Sequence, residues 1–292
     1  MRLLVTGSAG FLGSRATTLL TERGHEVLSL TRPGGAARAH SSALEAHRID
    51  AGDPAARSLV EGCDAVLHFA GLPDPARSRA DPARAIRENV GTALNLLEAC
   101  KDHGAGLVYP STVRAALEPL PDAYAFSKRL GELACELHEA KACPVRLTSV
   151  FGPGQVAWEG ATGAIAVFAA RALDGAPLVI PGDPRRRRDF LYVDDAIAAF
   201  EQVVAKGCWG KTHVLASGTS TSLREVAELV RAAAGSTSPI ETPGGELPAG
   251  ENESYEAPPS SLRFGVRPLA EAIQDYVDWL SASDAAQGRT RA

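Results

Sequence analysis

The sequence lacks the features that mark metal centres, membrane spans and secreted proteins. Its five cysteines are scattered, with no Cys-x-x-Cys pair and no histidine at metal-ligand spacing, so we expect no bound metal. Such cysteines are typical of reduced packing residues, and we predict a cytoplasmic location. No apolar run approaches ~20 residues, which argues against a membrane span or membrane partner. A core-like strand directly follows Arg2, which is not the pattern of a signal peptide.

The sequence also lacks a strong charge of either sign. Its 292 residues carry a formal net charge of -5, which gives no global field that attracts nucleic acid, so we expect no nucleic-acid partner. Hydrophobic residues make up 45% of the chain, enough for one large α/β domain or for a domain with a smaller lobe.

What the sequence does have is a glycine-rich turn at its start. An apolar run at 3–6 predicts a buried strand, a helical pattern follows at 13–23, and Gly7, Gly10 and Gly13 stand at the junction. In such a unit the first glycine allows a tight turn, the second admits a pyrophosphate to the backbone, and the third allows close helix packing. The helix N-terminus offers N–H groups and a positive dipole end to an anion, so the turn predicts a dinucleotide site.

Strand and helix patterns alternate as far as about residue 150. The predicted strands lie at 3–6, 26–30, 46–49, 65–69, 107–109 and 145–149. The predicted helices lie at 13–23, 54–61, 81–101 and 124–140. This alternation predicts an α/β fold with a Rossmann-like, doubly wound parallel sheet, whose ligands lie at the carboxyl ends of the strands.

The rest of the chain is less regular and predicts a smaller C-terminal α/β lobe that binds substrate. Its predicted elements are helices at 163–173, 194–205, 222–234 and 268–280, strands at 178–180 and 213–216, and a long polar loop at 236–259. The predicted domains are a dinucleotide-binding domain at 1–155 with returning segments at about 188–216, a substrate lobe at about 156–187 and 217–280, and a flexible tail at 281–292.

A candidate site for proton transfer lies in the second half of the predicted sheet. Tyr124 and Lys128 stand four residues apart on a predicted helix and therefore share a face. A neighbouring ammonium stabilises a phenolate, so we expect Lys128 to lower the pKa of Tyr124 toward the working pH. Upstream, a predicted strand ends in the hydroxyls of Ser111 and Thr112, at the sheet edge where a ligand would lie.

Further motifs follow one another along the chain. They are Thr6-Gly-x-x-Gly-x-x-Gly13, Asp50 in Arg-Ile-Asp-Ala, His68-Phe-Ala-Gly71, Asn89 in Asn-Val-Gly-Thr, Tyr124-x-x-x-Lys128, Arg146-Leu-Thr-Ser-Val-Phe-Gly-Pro-Gly154 and Arg188-Asp-Phe-Leu-Tyr-Val-Asp-Asp195. By these motifs the chain resembles the extended short-chain dehydrogenases/reductases, in the NAD(P)-dependent epimerase/dehydratase group that acts on nucleotide sugars. The resemblance extends from residue 1 to about residue 280.

The resemblance implies hydride transfer on a nucleotide-diphosphate sugar and assigns roles to individual residues. The catalytic residues would be Thr112, Tyr124 and Lys128. The cofactor-binding residues would be Gly7, Gly10, Phe11, Leu12, Gly13, Thr31, Arg32, Asp50, Ala51, Phe69, Ala70, Gly71, Asn89, Lys128 and Val150. The substrate-binding residues would be Ser111, Ser149 and Arg188. The three arginines before Arg188 are expected in a solvated loop. A homodimer through a four-helix bundle of helices 83–101 and 124–140 is a further implication.

The end of the second predicted strand bears on the choice of cofactor. Family members that prefer NAD carry an acid there, which binds the ribose 2′-hydroxyl. This chain has Thr31 and Arg32 instead, a hydroxyl and a guanidinium that suit a 2′-phosphate. We therefore favour NADP(H) over NAD(H); the alternative is that Arg32 stacks on the adenine and that NAD binds.

Departures from the family's motifs separate the candidate reactions. The dehydratases of the family carry Asp-Glu after the catalytic threonine, where this chain has Val113-Arg114, so we do not expect a dehydratase. The link from Thr112 to Tyr124 is short and resembles that of ketoreductases of deoxysugars. The leading hypothesis is therefore an NADP(H)-dependent reductase of a nucleotide-linked 4-keto-(deoxy)sugar. The alternatives are a 4-epimerase with tightly bound NAD and, more remotely, a non-catalytic protein that senses NADP(H).

Overall fold

The computed structural model describes residues 1–34, 46–155, 157–158, 163–247, 254–256 and 259–282. Its strands are β1 (Arg2–Thr6), β2 (Glu26–Thr31), β3 (His47–Arg48), β4 (Ala65–His68), β5 (Gly106–Thr112), β6 (Lys141–Leu147), β7 (Ser149–Phe151), β8 (Leu178–Pro181), β9 (Arg187–Tyr192), β10 (His213–Leu215), β11 (Ser220–Ser222) and β12 (Ile240–Gly244). Its helices are α1 (Phe11–Glu22), α2 (Pro75–Ala80), α3 (Pro82–Ile86), α4 (Thr92–His103), α5 (Ala123–Leu137), α6 (Ala164–Leu173), α7 (Val193–Ala205), α8 (Leu223–Ala233) and α9 (Leu269–Ala282). Short 3-10 turns occupy Pro54–Val60 and Val113–Ala116, and a π-helical segment occupies Arg87–Gly91.

A seven-stranded sheet forms the centre of the first half of the chain. Its strand order is β10-β6-β5-β4-β1-β2-β3, and every neighbouring pair is parallel. The chain builds outward from β1 through β2 to β3 and then returns to place β4 on the other side of β1. This topological switch point is where sheets of this kind bind ligands, beyond the carboxyl ends of the strands. The predicted Rossmann-like α/β fold is confirmed.

Both faces of the sheet are buried, which explains the continuous apolar runs of its strands. Leu4, Val66 and Leu107 belong to an apolar cluster that includes side chains of α4 and α5. Leu3 and Val108, their neighbours in sequence, are equally buried and point to the opposite face because side chains alternate along a strand. The sheet is thus covered on two sides, and polar groups of its strands are concentrated at the carboxyl ends.

The chain divides into two compact units. The first comprises Met1–Leu147 and Ile197–Leu215, and the second comprises Thr148–Ala196 and Ala216–Ala292. The second unit contains a sheet of order β11-β9-β7, a β12-β8 pair, and an apolar core formed mainly by α6, α8 and α9. The predicted first domain extends to residue 155 and returns at 188. The unit boundaries differ because β7 pairs in parallel with β9, and both lie in the second unit.

Several elements differ from those predicted. The predicted polar loop at 236–259 contains β12, which pairs in parallel with β8. The predicted helix 81–101 is divided into α3, the π-helical segment and α4. The sequence does not indicate strands β9 and β11, because they are rich in charged and hydroxyl side chains. The predicted flexible tail lies outside the described residues beyond Ala282. Among the described helices, none is long and apolar enough to cross a membrane.

Candidate active site

Close backbone contacts shape the glycine-rich turn between β1 and α1. Gly7 has a φ of 67°, and a Cβ there would lie 2.7 Å from the backbone nitrogen of Ala70. A Cβ on Gly13 would lie 2.2 Å from the carbonyl oxygen of Gly7, so α1 packs directly on the turn. Gly10 is the N-cap of α1, with no side-chain cap and no acidic residue in the first helical turn. The N–H groups and dipole of this terminus therefore fit a dinucleotide diphosphate, which the turn would hold.

Buried polar side chains fix the chain after β4 against this turn. Thr6 Oγ1 accepts a hydrogen bond from the Ala70 N–H at 3.1 Å and lies 2.9 Å from His68 Nδ1. His68 Nε2 lies 3.0 Å from Thr92 Oγ1. Burial, and to a smaller extent the charge of Lys128, lowers the pKa of His68 to about 3. His68 is therefore a neutral structural residue with both ring nitrogens paired.

Asn89, in the π-helical segment, holds the loop that follows β4. Its Oδ1 accepts a hydrogen bond from the Leu72 N–H at 2.8 Å. Its Nδ2 donates to the Leu72 carbonyl at 3.1 Å and to Ser127 Oγ, on α5, at 2.9 Å. A Cβ on Gly71 would lie 2.4 Å from Asn89 Oδ1, so the loop needs glycine there. The amide thus holds the loop after β4 against α5 from within the protein, and its direct contact with a cofactor stays a prediction.

The carboxyl ends of β2 and β3 carry the residues predicted to meet the adenosine end of the cofactor. Thr31, the last residue of β2, is buried, and Arg32 follows it exposed. Asp50 is exposed just beyond β3, beside Ala51, whose carbonyl accepts a hydrogen bond from Asn95 Nδ2 at 2.9 Å. A hydroxyl, a guanidinium and a carboxylate therefore follow two neighbouring parallel strands at one edge.

The candidate catalytic residues lie at the end of β5 and at the start of α5. Thr112 closes β5, and Tyr124 and Lys128 lie in the first two turns of α5, which packs on β5. Lys128 is buried, and its Nζ donates to the Pro110 carbonyl at 2.9 Å. Thr112 Oγ1 accepts a hydrogen bond from the Arg114 N–H at 3.3 Å. The structure thus brings the ammonium of Lys128 to the strand end that carries Thr112.

The pKa of Tyr124 does not follow the sequence-based expectation. Burial raises the pKa of Tyr124 to about 12, the Arg114 guanidinium lowers it, and the Asp122 carboxylate raises it. Burial is the largest of these effects, so the pKa of Tyr124 is raised where the sequence predicts a lowering, and the contribution of Lys128 stays a prediction. Burial lowers the pKa of Lys128 itself to about 8.

Ser111, predicted to bind substrate, takes part in a buried ionic network. Its Oγ donates to Glu132 Oε1 at 2.6 Å. Glu132 is 1% exposed and also accepts hydrogen bonds from Arg146 at 2.8 and 2.7 Å and from Arg129 at 3.0 Å. The Ser111 hydroxyl is therefore directed to the interior of the unit. Sequence reasoning missed Glu132, although it stands four residues after Lys128, where a helix presents the same face.

The remaining predicted ligands lie in the second unit. Ser149 is exposed and Val150 half-buried on β7. Arg188, on β9, places its guanidinium carbon 4.5 Å from the ring centroid of Tyr255. Arg186 is only 8% exposed and donates to two backbone carbonyls of the preceding turn. The prediction that all three preceding arginines lie in a solvated loop is therefore wrong for Arg186, which fixes the turn before β9. It is also wrong for Arg187, which lies on β9 and donates to the Ser220 carbonyl.

Comparisons with known proteins agree with this geometry. Residues 3–214 match the model of the NAD dependent epimerase/dehydratase family. The chain is 31% identical to a dTDP-glucose 4,6-dehydratase of Streptomyces antibioticus over 313 aligned positions. The alignment covers 96% of this chain and 92% of the relative. It is 26% identical to a dTDP-4-dehydro-6-deoxy-D-allose reductase of Streptomyces bikiniensis over 311 aligned positions, which cover 95% of each chain.

The fold is similar to that of the Thermotoga maritima UDP-glucose 4-epimerase solved with UDP-glucose. The TM-score is 0.83 at 23% identity, over 97% of this chain and 99% of that one. The family match covers the glycine turn and all three candidate catalytic residues, and more than half of the chain. On these grounds the chain belongs to the NAD-dependent epimerase/dehydratase family, as the sequence motifs predict.

Proposed function

We propose that the protein is an NADP(H)-dependent reductase of a nucleotide-linked 4-keto-deoxysugar. The proposal depends above all on one observation. The glycine turn after β1 lies at the same edge of the parallel sheet as Thr112, at the end of β5, and as Tyr124 and Lys128, at the start of α5. This edge can hold a dinucleotide beside groups that move a proton.

Two side chains of the protein act on the substrate oxygen, and a third binds the cofactor. The nicotinamide supplies or accepts the hydride when bound. Tyr124 donates its phenolic proton to the carbonyl oxygen as the ketone becomes an alcohol, and Thr112 donates a hydrogen bond to the same oxygen. An ammonium has three N–H donors, and the one that Lys128 gives to the Pro110 carbonyl leaves others for a ribose hydroxyl.

Three features support reduction over the other reactions of the family. No acid stands at the end of β2, where Arg32 is exposed and suits a 2′-phosphate. The link between Thr112 and Tyr124 is short. Two residues after Thr112, the cationic Arg114 is paired with Asp122, at the place where the family's dehydratases carry carboxylates. The named reductase relative is consistent with this, while the dehydratase relative makes dehydration an outcome that the experiment must address.

The test is turnover by the purified protein with a nucleotide-linked 4-keto-6-deoxysugar. We expect stoichiometric NADPH oxidation and a kcat/KM at least about tenfold higher with NADPH than with NADH, because charge-assisted contacts to a 2′-phosphate are worth about 1.5–3 kcal/mol. Arg32→Ala should remove most of that preference. Release of stoichiometric NAD(H) from the protein, with epimerisation or dehydration of a nucleotide hexose and no net redox change, would refute the reductase proposal.

Tyr124→Phe tests the proton donor in the same assay. It removes only the hydroxyl, so kcat should fall by about 10²–10⁴-fold while affinity for the dinucleotide is retained. The readouts are the rate of NADPH oxidation and a fluorescence titration of NADPH. A variant with the wild-type rate would exclude Tyr124 as the proton donor.

We also propose that the protein forms a homodimer through α4 and α5. Leu94 is 43% exposed on α4 and Phe126 is 47% exposed on α5, so each helix presents a large apolar side chain to solvent. A second copy of the chain that packs on these helices would bury them in a four-helix arrangement. Light scattering should give the mass of a dimer for the wild type and of a monomer for Leu94→Glu combined with Phe126→Glu.

A further inference from the structure

The Lys128 ammonium is held by two neighbouring groups of β5. Its Nζ donates to the Pro110 carbonyl at 2.9 Å, and the same nitrogen lies over the face of the Tyr109 ring, 4.8 Å from the ring centroid. Both side chains are buried, with Tyr109 1% and Lys128 8% exposed. The quadrupole of an aromatic ring attracts a cation that lies over its face, and the attraction is stronger where water is excluded. A carbonyl and a ring of one strand therefore hold a buried cation of α5.

The Tyr109 ring is itself fixed from three sides. Its hydroxyl donates to the Asn89 carbonyl at 3.1 Å, in the π-helical segment. A Cβ on Gly131 would lie 2.1 Å from the same hydroxyl oxygen, so α5 approaches the ring this closely only with glycine at that position. The His68 ring, on β4, lies with its centroid 6.3 Å from that of Tyr109. These contacts fix the orientation of the ring, and with it the surface on which the ammonium lies.

The titratable groups around Lys128 come from β4, β5 and α5. Burial lowers the pKa of Lys128, whereas Cys135 and Glu132 on α5 raise it. His68 and Tyr109 are uncharged, because burial lowers the pKa of the imidazole and raises the pKa of the phenol. Although α2, α3, α4 and β6 also pack on α5, none of their described side chains is among the groups that shift the Lys128 pKa. The Glu132 carboxylate already accepts hydrogen bonds from two arginines, so the ammonium lies against the uncharged ring.

We propose that Tyr109 is a positioning residue for Lys128, and that the face of its ring holds the ammonium where the remaining N–H donors meet a ribose hydroxyl of the cofactor. A lysine side chain has a flexible four-carbon stem, and one hydrogen bond to a carbonyl leaves it free to turn. The ring restricts that freedom without the cost of a second buried charge. The inference rests on the proposed function only for the contact between Lys128 and the ribose.

The experiment changes the electron density of the ring at position 109 and measures the ionisation of Lys128 in the full chain. Tyr109→Phe retains the ring and removes the hydroxyl. Replacement of Tyr109 by a trifluorophenylalanine retains nearly the same shape and withdraws electron density from the face of the ring, so these two variants differ mainly in their attraction for a cation. NMR of isotopically labelled lysine ε-carbons follows the titration, and the signal that Lys128→Met removes is that of Lys128.

The fluorinated ring should lower the midpoint of Lys128, because the charged form loses its attraction to the ring face. We expect a fall of about one pH unit relative to Tyr109→Phe, whose midpoint should stay close to that of the wild type. The signal of Lys101, which is 47% exposed and paired with Glu139, is the internal control and should not move. Circular dichroism shows that each variant is folded. A merely structural role depends on the shape of the ring, so equal midpoints in the two variants would overturn the proposal.

Cofactor binding provides the second readout. At a pH below both midpoints Lys128 is protonated in each variant, and the Kd for NADPH should be roughly threefold to tenfold higher with the fluorinated ring than with Tyr109→Phe. The same Kd in both would show that the ring does not position the ammonium for the cofactor. If the wild type itself binds neither NADPH nor NADH, the proposed function fails, whereas the NMR midpoints still decide whether the Tyr109 ring holds the ammonium.

Discussion

The carboxyl ends of β1 and β5 belong to the same edge of one sheet, with β4 between them, yet they are built by different means. The end of β1 is made of backbone, with glycines that allow the chain to turn against itself. The end of β5 is made of side chains, with Lys128, Glu132 and the Arg114–Asp122 pair all held in the interior. The first kind of site depends on the absence of Cβ atoms, and the second depends on the compensation of buried charges.

The charged end should be the more sensitive to a single substitution. Glu132→Gln leaves two arginines facing a neutral amide, so we expect the free energy of unfolding to fall by about 3–5 kcal/mol. Urea unfolding measures it. The matched control is Arg129→Gln, because Arg129 is 38% exposed and Arg146 still neutralises Glu132 in its absence. Equal losses in the two variants would show that the buried network is not what stabilises this end.

The glycine turn at the end of β1 should be disrupted by the addition of one methyl group. In Gly13→Ala the new Cβ would meet the Gly7 carbonyl at 2.2 Å, so the turn must open, at a cost of about 1–3 kcal/mol and with loss of dinucleotide affinity. Gly91→Ala is the control, since that helical position has nothing within 4 Å, and it should stabilise the protein by about 0.4–1 kcal/mol. Thermal unfolding and NADPH titration test both. Retained affinity in Gly13→Ala would contradict the assignment of the turn.

His68, on the strand between the two ends, should make stability depend on pH. Its pKa in the folded protein is about 3, whereas the unfolded chain binds a proton below about 6.5. The contribution of neutral His68 is therefore complete above pH 6.5 and is lost as the pH falls, by about 1.4 kcal/mol per pH unit. Urea unfolding at pH 7 and pH 5 should show a smaller pH effect in His68→Gln than in the wild type. The same pH effect in both would mean that His68 accepts a proton in the folded state.

The sequence predicts the backbone-built end well and the charged end only in part. The positions of Gly7, Gly10 and Gly13 follow from local spacing, and the sheet follows from alternating apolar runs. Which partner each charged side chain selects is decided by tertiary packing. Lys128 contacts the Pro110 carbonyl, and Ser111 contacts Glu132; neither contact is indicated by helix spacing or strand position.

Outside the site, the prediction fails where strands lack an apolar alternation. Strand β9 begins with two arginines and an aspartate. This aspartate, Asp189, is buried, and three hydrogen bonds from Ser217 and Gly218 compensate its carboxylate for the loss of water. A buried carboxylate of this kind looks like a surface residue in the sequence alone. The pairing of β12 with β8 joins segments some sixty residues apart, which no local pattern indicates.

The π-helical segment at Arg87–Gly91 has a consequence for how the chain tolerates change in length. A π turn amounts to one extra residue inserted in an α-helix, and here the insertion lies where Asn89 meets Leu72 and Ser127. Deletion of a single residue from this stretch would restore regular winding and rotate Asn89 by about 100° relative to α4. The amide would then face away from the loop after β4. The number of residues in this segment is therefore constrained as much as their identity.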